Sequence, residues 1–259
     1  MRFRVLGCHG GESATHRATS FLIDDVLLLD AGSATRSLTV PEQVAIDHIV
    51  LSHVHLDHVR DIALLCDNII GARKKPLVVH CTEFTADALF KHILNNVIWP
   101  DFSKFPNPGD PEKRPTLQVN RFKPGATIEV GPYQIKTVAV NHTIETHALF
   151  VRDKTGTVVY SGDTGPTDAL YEEVNRTEDL RAFITEVSFP NAMEGLAKVS
   201  GHLTPVMLQT ELKKLKVKGQ VPVLIYHLKP GFYDVVKQQI ADLKDSRITI
   251  LKPMDEFTF

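Results

Sequence analysis

The chain has 259 residues, of which 43% are hydrophobic and 23% are charged. This is the composition of a globular protein with a sizeable buried core, and it excludes a disordered chain. The formal net charge is −2, so the chain is not built around the excess of basic residues that nucleic-acid binding favours. No apolar run approaches the ~20 residues of a membrane span, and the first residues lack the apolar stretch of a secretion signal.

Cysteine and histidine usage differ sharply. The three cysteines, Cys8, Cys66 and Cys81, are too few and too scattered for a disulfide framework or a CxxC metal site. We expect buried thiols in a reducing compartment, and therefore a cytoplasmic protein. The 12 histidines are an unusual number, and their positions indicate the function.

The first half of the chain alternates short apolar runs with turns. Strands are predicted over 3–7, 20–24, 26–30, 46–52 and 76–80, and Asp24-Asp25 joins the second and third in a hairpin-like pair. Apolar spacing predicts helices over 57–66 and 82–99, the latter capped by Thr82. Five prolines in 100–116 predict a long loop. Residues 82–116 are therefore expected to form a helix-plus-loop insert.

The second half repeats this plan, with strands first and helices later. Strands are predicted over 117–122, 126–130, 133–140, 147–152, 157–161, 181–187, 221–227 and 247–251. Helices are predicted over 168–175, over 232–244 and from Thr204-Pro205 to about residue 215. Two such halves predict an α/β fold, an αββα sandwich of two mixed sheets with helices on the outer faces. Because no Pro/Gly-rich linker divides the chain, residues 1–259 are expected to form a single domain.

The string His53-Val-His55-Leu-Asp57-His58 follows a predicted strand that ends at Ser52. His53 and His55 are two residues apart in an extended segment, so their side chains point the same way. Asp57 and His58 are adjacent at a helix start and diverge. One short loop can thus offer two ligands to one metal ion and two to a neighbour about 3.5 Å away. Without a cation, three histidines and an acid beside an apolar strand would be costly.

Two metal sites need further ligands, and suitable residues follow predicted strands downstream. These residues are His142, Asp163 and His227. Side chains at strand ends on one rim of a sheet converge, so we assign one ion to His53, His55 and His142 and the other to Asp57, His58 and His227, with Asp163 bridging them. Imidazole suits Zn²⁺, and carboxylate suits Zn²⁺, Mn²⁺ or Fe, so two divalent ions, first of all Zn²⁺, are the expected cofactors.

The HVHLDH string, His142 in NHT, Asp163 in SGDTGP and His227, in that order, resemble the metallo-β-lactamase superfamily over essentially the whole chain. The resemblance implies an αββα sandwich with a dinuclear metal site on its rim. It also implies a role for Asp30 in LLLDAG. In that family the corresponding acid holds a metal-binding histidine from behind and is not itself a ligand.

Four further segments resemble the class II cyclic-nucleotide phosphodiesterases: VLGCHGG followed by DAGS, the WPDF-bearing insert, GDTGPTDALYE, and GHLTP with YHLKP. This resemblance implies hydrolysis of 3′,5′-cyclic nucleotides (cAMP or cGMP) to 5′-nucleoside monophosphates by a hydroxide that bridges two metal ions. The alternatives are another phosphodiesterase or a ribonuclease Z-like nuclease, a lactone hydrolase or β-lactamase, and a non-enzymatic nucleotide-sensing module. A filled set of seven ligand positions argues against the last.

ITEVSF followed by GHLTP also resembles the ribonuclease Z branch, which pairs an acid with a histidine about 15 residues later. Here the pair is Glu186 and His202. With a carboxylate behind it, His202 is the candidate general acid for the leaving 3′ oxygen. Asp57, Glu186 and His202 are thus the expected catalytic side chains. The absent tRNA-gripping arm and the near-neutral charge argue against nucleic acid as the substrate.

The aromatic residues of the insert are candidates for binding the other end of a small nucleotide substrate. Trp99 is the sole tryptophan, and Phe102 lies close to it in sequence. With His202, they are the predicted substrate-binding residues, because a flat ring can stack on a purine. The alternative for Trp99 is packing of the helix onto the body or closure of a dimer interface. A homodimer and no membrane association are expected.

Overall fold

The computed structural model describes residues 1–217 and 220–259, which contain two mixed seven-stranded sheets. In the first sheet, the order β14-β1-β2-β3 is antiparallel and β3-β4-β5-β6 is parallel. Its strands are β1 (Arg2–Gly7), β2 (Ser20–Ile23), β3 (Leu27–Leu29), β4 (His48–Val50), β5 (Leu77–Thr82), β6 (Leu117–Phe122) and β14 (Glu256–Thr258).

The second sheet has a parallel half and an antiparallel half as well. The order β13-β12-β11-β10 is parallel, and β10-β9-β8-β7 is antiparallel. Its strands are β7 (Thr127–Val130), β8 (Tyr133–Ala139), β9 (His147–Asp153), β10 (Gly156–Tyr160), β11 (Leu180–Glu186), β12 (Val223–Tyr226) and β13 (Ile248–Ile250). Residues that follow parallel strands share one edge of a sheet, which is the usual place for a site in such folds.

The two sheets pack face to face over an apolar core. Large buried side chains from both sheets meet there, and the Phe21 ring lies 5.3 Å from that of Tyr160 and 5.7 Å from that of Tyr226. Strands such as β3 and β10 are buried on both faces, because helices cover the outer faces. This explains why they consist of apolar runs and not of alternating residues.

Helices cover the outer face of each sheet and close two further apolar clusters. Those on the first sheet are α1 (Ala34–Ser37), α2 (Val40–Ala45), α3 (Leu56–Val59), α4 (Asp61–Ile69) and α5 (Glu83–His92). Those on the second are α6 (Asp168–Arg176), α7 (Glu194–Val199), α8 (Pro205–Leu212) and α9 (Tyr233–Ala241). The predicted αββα sandwich is confirmed. Among the described residues, no helix has both the length and the apolar character that crossing a bilayer requires.

The predicted helix over 82–99 is wrong beyond His92, where α5 ends. Asn95 and Asn96 explain the early end. The Asn95 side chain accepts hydrogen bonds from the backbone amides of Val97 and Ile98, and Asn96 adopts a left-handed backbone with φ of 62°. Asparagine side chains compete in this way with the helical hydrogen-bond ladder. The chain therefore turns at the point where the apolar stripe suggested two more helical turns.

Phe102 is a second correction in the insert. Its side chain is 4% exposed and belongs to the apolar cluster beneath the helices of the first sheet. A ring this deeply buried is not available to a nucleobase, so Phe102 packs the insert onto the body. By contrast, Val97 is 86% exposed at the tip of the insert. The expected homodimer stays a prediction.

Candidate metal centre

The predicted ligands come from four places in the fold and meet at one edge of the sandwich. His53, His55, Asp57 and His58 follow β4 and enter α3, whereas Asp163 follows β10 and His227 follows β12. His142 lies between β8 and β9. The structure brings all seven side chains together in overlapping groups whose potential ligand atoms lie within 4.8 Å of one another.

Three histidines form one side of this cluster. The Nδ1 atom of His55 lies 3.2 Å from Nε2 of His53 and 3.1 Å from Nε2 of His142. The other ring nitrogen of His142, Nδ1, donates a hydrogen bond to the carbonyl of Gly201 over 2.9 Å. This bond places the proton on Nδ1 and leaves the Nε2 lone pair free for a cation.

Asp57, His58 and His227 form the other side, and Asp163 lies between the two sides. Its Oδ2 atom is 3.7 Å from Nε2 of His53, 3.3 Å from Nε2 of His58 and 3.0 Å from Nε2 of His227. Within residues 1–217 and 220–259, no group makes a well-aligned hydrogen bond to Nε2 of His58 or of His227, although both atoms are buried. Two orphaned buried nitrogens beside a carboxylate are what a cation would satisfy, so the cluster fits a metal site.

The electrostatics of the two sides differ. Burial lowers the pKa of His53 well below its usual value, and the neighbouring His58 lowers it further. Burial also lowers the pKa of His58 and of His227, but the Asp163 carboxylate opposes this, so the pKa of His58 lies well above normal and that of His227 rises to about 9. Burial raises the pKa of Asp163, yet the facing His227 and His58 hold it well below its usual range. Positive charge thus stabilises the buried carboxylates. A divalent cation would supply that charge and displace the protons from the ligand nitrogens of the histidines.

Asp30 orients two of the histidines from behind, in what we term the Asp30 cluster (Asp30, Ser52, His53, His58 and Tyr160). The Asp30 carboxylate accepts hydrogen bonds from Nδ1 of His58 over 2.7 Å, from the Ser52 amide over 2.7 Å, and from the hydroxyls of Ser52 and Tyr160 over 2.6 Å each. The Ser52 hydroxyl lies 2.9 Å from Nδ1 of His53. Both rings therefore direct Nε2 toward the cluster of ligands, as the role expected for Asp30 requires.

Glu186 organises the opposite side, in the Glu186 cluster (Glu186, Ser188, His202 and His227). Its Oε1 lies 2.6 Å from Nδ1 of His202, and its Oε2 accepts from the Ser188 hydroxyl over 2.8 Å. The same hydroxyl lies 2.8 Å from Nδ1 of His227. The rings of His202 and His227 stack with centroids 5.0 Å apart and planes 24° apart. The expected pair of Glu186 and His202 therefore borders the metal ligands.

Two glycines let the backbone approach the ligand rings. A Cβ atom on Gly10 would lie 2.7 Å from ring atoms of His227, and one on Gly201 would lie 2.9 Å from Nδ1 of His142. Gly201 also has φ of +65°, a conformation that favours glycine. The GHLTP string thus supplies the carbonyl that holds His142 as well as His202.

Sequence reasoning missed several residues that orient the site. They are Ser52, Tyr160, Ser188 and Tyr226, the last donating from its hydroxyl to Oδ1 of Asp163 over 3.1 Å. The two tyrosines are the last residues of β10 and β12, and the two serines lie two residues beyond β4 and β11, but no local motif reveals which distant group each contacts. Trp99, a predicted substrate residue, is partly buried against the apolar cluster of the first sheet, and its indole nitrogen has no partner among the described residues.

Comparison with known proteins adds relatives of defined class. A family model, the beta-lactamase superfamily domain, matches residues 20–224. A probable 3′,5′-cyclic-nucleotide phosphodiesterase of Yersinia pestis is 29% identical over 229 residues, which cover 77% of this chain and 63% of that protein, less than two thirds of its length. The probable metallo-hydrolase YhfI of Bacillus subtilis is 25% identical over 265 residues, or 97% of each chain.

A solved structure extends the comparison to the fold. The crystal structure of unliganded yeast PDE1 superposes with a TM-score of 0.78 at 18% identity, covering 96% of this chain and 97% of the yeast chain. At this identity the likeness shows a shared fold, and it leaves the chemistry to be argued from the residues of the site.

Proposed function

Because the chain belongs to the metallo-β-lactamase superfamily, a superfamily of metal-dependent hydrolases, we propose that it hydrolyses 3′,5′-cyclic nucleotides to 5′-nucleoside monophosphates. The observation that carries the proposal is the Glu186–His202 pair at the edge of the metal-ligand cluster. A potential ligand atom of His202 lies within 4.8 Å of those of Asp163 and His227. A phosphodiester held by the cluster would thus have a histidine within reach of its leaving oxygen.

Seven residues would hold two divalent ions, for which we propose Zn²⁺, with Mn²⁺ and Fe as the other candidates. His53, His55 and His142 would hold one, Asp57, His58 and His227 the other, and Asp163 both. Bound there, the ions would lower the pKa of water and neutralise the charge of a phosphodiester. The orphaned Nε2 atoms of His58 and His227 support this assignment.

Glu186 and His202, both in the Glu186 cluster, would assist the departure of the leaving group. An alkoxide is a poor leaving group, so the 3′ oxygen of the sugar needs a proton as its bond to phosphorus breaks. The hydrogen bond of Nδ1 to Glu186 holds the ring of His202, and Nε2 would face the substrate. In its protonated form, His202 would donate the Nε2 proton to the leaving oxygen while the adjacent carboxylate stabilises the charge on the ring.

The similarity to a probable cyclic-nucleotide phosphodiesterase and the net charge of −2 support a small nucleotide over a long RNA. A polyanionic RNA is usually bound through many Lys and Arg contacts to its phosphates. The phosphodiester chemistry of the site would nevertheless suit a short RNA end, so that class of substrate is one arm of the test below.

The experiment is turnover of cAMP, cGMP, a short RNA and bis-p-nitrophenyl phosphate by metal-replete protein, with and without a chelator. The proposal expects release of 5′-AMP or 5′-GMP that stops when chelator is added. Cleavage of the synthetic diester alone would support metal-dependent hydrolysis of phosphodiesters but refute the cyclic-nucleotide assignment. Processing of the RNA without cyclic-nucleotide turnover would favour the nuclease.

The role of His202 is tested by the leaving group. We expect His202→Ala to slow cAMP hydrolysis by about 100-fold or more, within the usual range for general acid catalysis. Hydrolysis of bis-p-nitrophenyl phosphate should slow far less, because nitrophenolate leaves without a proton. His92→Ala, which removes an exposed histidine at the end of α5, is the matched control. Equal slowing of both substrates by His202→Ala would show that His202 binds phosphate instead.

A further inference from the structure

We propose that Ser188 is a positioning residue that joins the metal ligand His227 to the Glu186–His202 pair. The inference deepens the proposed function and rests on it, because it concerns how the leaving-group histidine is held. Ser188 is fully buried and follows β11 by two residues. Its hydroxyl oxygen lies 2.8 Å from a carboxylate oxygen of Glu186 and 2.8 Å from Nδ1 of His227.

The direction of these two hydrogen bonds follows from the donor count. A hydroxyl has one proton, and an ionised carboxylate can only accept. The Ser188 proton therefore points to Glu186, since its other acceptor, the carbonyl of His227, is 3.4 Å away. Nδ1 of His227 must then donate to the Ser188 oxygen. This fixes the tautomer in which Nε2 of His227 carries a lone pair toward the metal-ligand cluster.

The same carboxylate also fixes the second ring. Oε1 of Glu186 accepts from Nδ1 of His202 over 2.6 Å and from the Thr164 amide over 3.0 Å. Glu186 is fully buried, so no water replaces a lost partner at low cost. The chain of hydrogen bonds therefore runs from His227 through Ser188 and Glu186 to His202. A change in the orientation of the first ring is therefore expected to alter the orientation of the carboxylate that holds the last.

The Asp30 cluster repeats this arrangement on the other sheet. There Ser52 donates to Asp30 and accepts from Nδ1 of His53, while Asp30 accepts directly from a second histidine, His58. In both clusters a serine hydroxyl donates to the carboxylate and accepts from Nδ1 of one histidine, while a second histidine contacts the carboxylate directly. Two occurrences of one geometry, on strands from different sheets, indicate that the serine serves the histidines and does not merely fill space.

Ser188→Ala is the first test, with two readouts. Competition for Zn²⁺ with a chromophoric chelator, on metal-free protein, should show an affinity about 10- to 100-fold lower for one of two equivalents, as expected when the partner behind a ligand is lost. A series of aryl phosphodiesters should show that kcat falls more as the leaving group becomes more basic, with KM little changed. A purely structural role for Ser188 would not produce this dependence on the leaving group.

Three further variants serve as controls for the interpretation of Ser188→Ala. Ser188→Cys keeps the volume but hydrogen-bonds weakly, so it should behave like Ser188→Ala, whereas Ser188→Thr retains the hydroxyl and should restore both readouts. Thr185→Val, on the same strand, removes a buried hydroxyl that has no partner among the described residues and should change neither. Thermal unfolding of the metal-free proteins identifies any variant that has lost the fold.

The outcomes separate this inference from the proposed function. Lower zinc affinity together with a steeper leaving-group dependence, both restored by Ser188→Thr, would support the role of Ser188. Unchanged zinc affinity, or lower affinity with no effect on the leaving group, would overturn it. If wild-type protein fails to hydrolyse cyclic nucleotides, the proposed function falls, while the zinc titration and the aryl diester series still decide the role of Ser188.

Discussion

Replacing Asp30 by asparagine isolates the contribution of one buried carboxylate to both the fold and the metal centre. The variant Asp30→Asn keeps the shape of the side chain and removes its charge. At present Oδ2 accepts three hydrogen bonds, from Ser52, His58 and Tyr160, and Oδ1 accepts one from the Ser52 amide. An amide can match three of these four donors at most.

The magnitude follows from the orientation that loses least. The amide oxygen takes the position of Oδ2, and the NH₂ group then faces the Ser52 backbone N–H, which was 2.7 Å from Oδ1. Leaving that buried donor unpaired costs about 1–3 kcal/mol, and turning three charge-assisted hydrogen bonds into neutral ones costs about 1 kcal/mol each. We expect the free energy of unfolding to fall by about 4–6 kcal/mol, which corresponds to a Tm lower by about 10–20 °C for a chain of this size.

Urea and thermal unfolding of the metal-free protein measure this loss, and chelator competition measures zinc affinity, which should fall about 10- to 100-fold because His58 loses its charged partner. Asp67→Asn, a change of the same kind at an exposed residue of α4, is the control and should alter neither quantity. If Asp30→Asn unfolds like wild type and binds zinc equally well, the hydrogen bonds to Asp30 do not have the role argued here.

Three further predictions test the site and the insert. Asp163→Ala should abolish turnover and reduce bound metal by about half or more, because it removes the ligand shared by the two sides; wild-type activity with full metal content would contradict that. Gly10→Ala should lower zinc affinity about 10-fold, because the new Cβ would lie 2.7 Å from the His227 ring. The control Gly195→Ala, whose new Cβ would have no atom within 4 Å, should leave zinc affinity unchanged. Phe102→Ala should cost about 3–5 kcal/mol of unfolding free energy and leave KM for cAMP unchanged; a raised KM at normal stability would return Phe102 to the substrate site.

The sandwich was predictable because its strands carry local signals. The apolar runs of β3 and β10 and the turn at Asp24-Asp25 can be recognised from the local sequence. Both aspartates adopt left-handed backbones, with φ of 46° and 62°, in the tight turn that the Val26 amide closes by donating to the carbonyl of Ile23. Helices α1, α2 and α7 have at most six residues each, too few for helical periodicity to appear in the sequence. Tertiary packing, which no local window contains, decides whether such segments are helical.

The residues of the site likewise divide into those that local sequence predicts and those that distant contacts determine. Spacing predicts that His53 and His55 point the same way, and the ends of β10 and β12 predict where Asp163 and His227 lie. Ser188 was not predictable, because its partner His227 is 39 residues away and serine has no spacing rule for such a contact. Phe102 was misjudged for a related reason: an aromatic in a Pro-rich loop looks exposed in sequence, and the structure buries it under the neighbouring helices.

Backbone strain occurs at two residues of the centre. Asp30 directly follows β3 with φ of 54°, and His227 directly follows β12 with φ of 71°. A left-handed backbone costs a non-glycine residue about 1–3 kcal/mol, and glycine would relieve that strain at either position. Glycine, however, would remove the carboxylate that holds His58 or the imidazole beside Asp163. The amide of His227 is held by the carbonyl of Cys8 over 2.7 Å, which helps to fix the strained turn. Each strained residue therefore carries a side chain that the centre needs, and the surrounding hydrogen bonds offset the cost of the strain. The strain is best explained as the consequence of placing a polar side chain at a strand end so that it turns back toward the metal ligands.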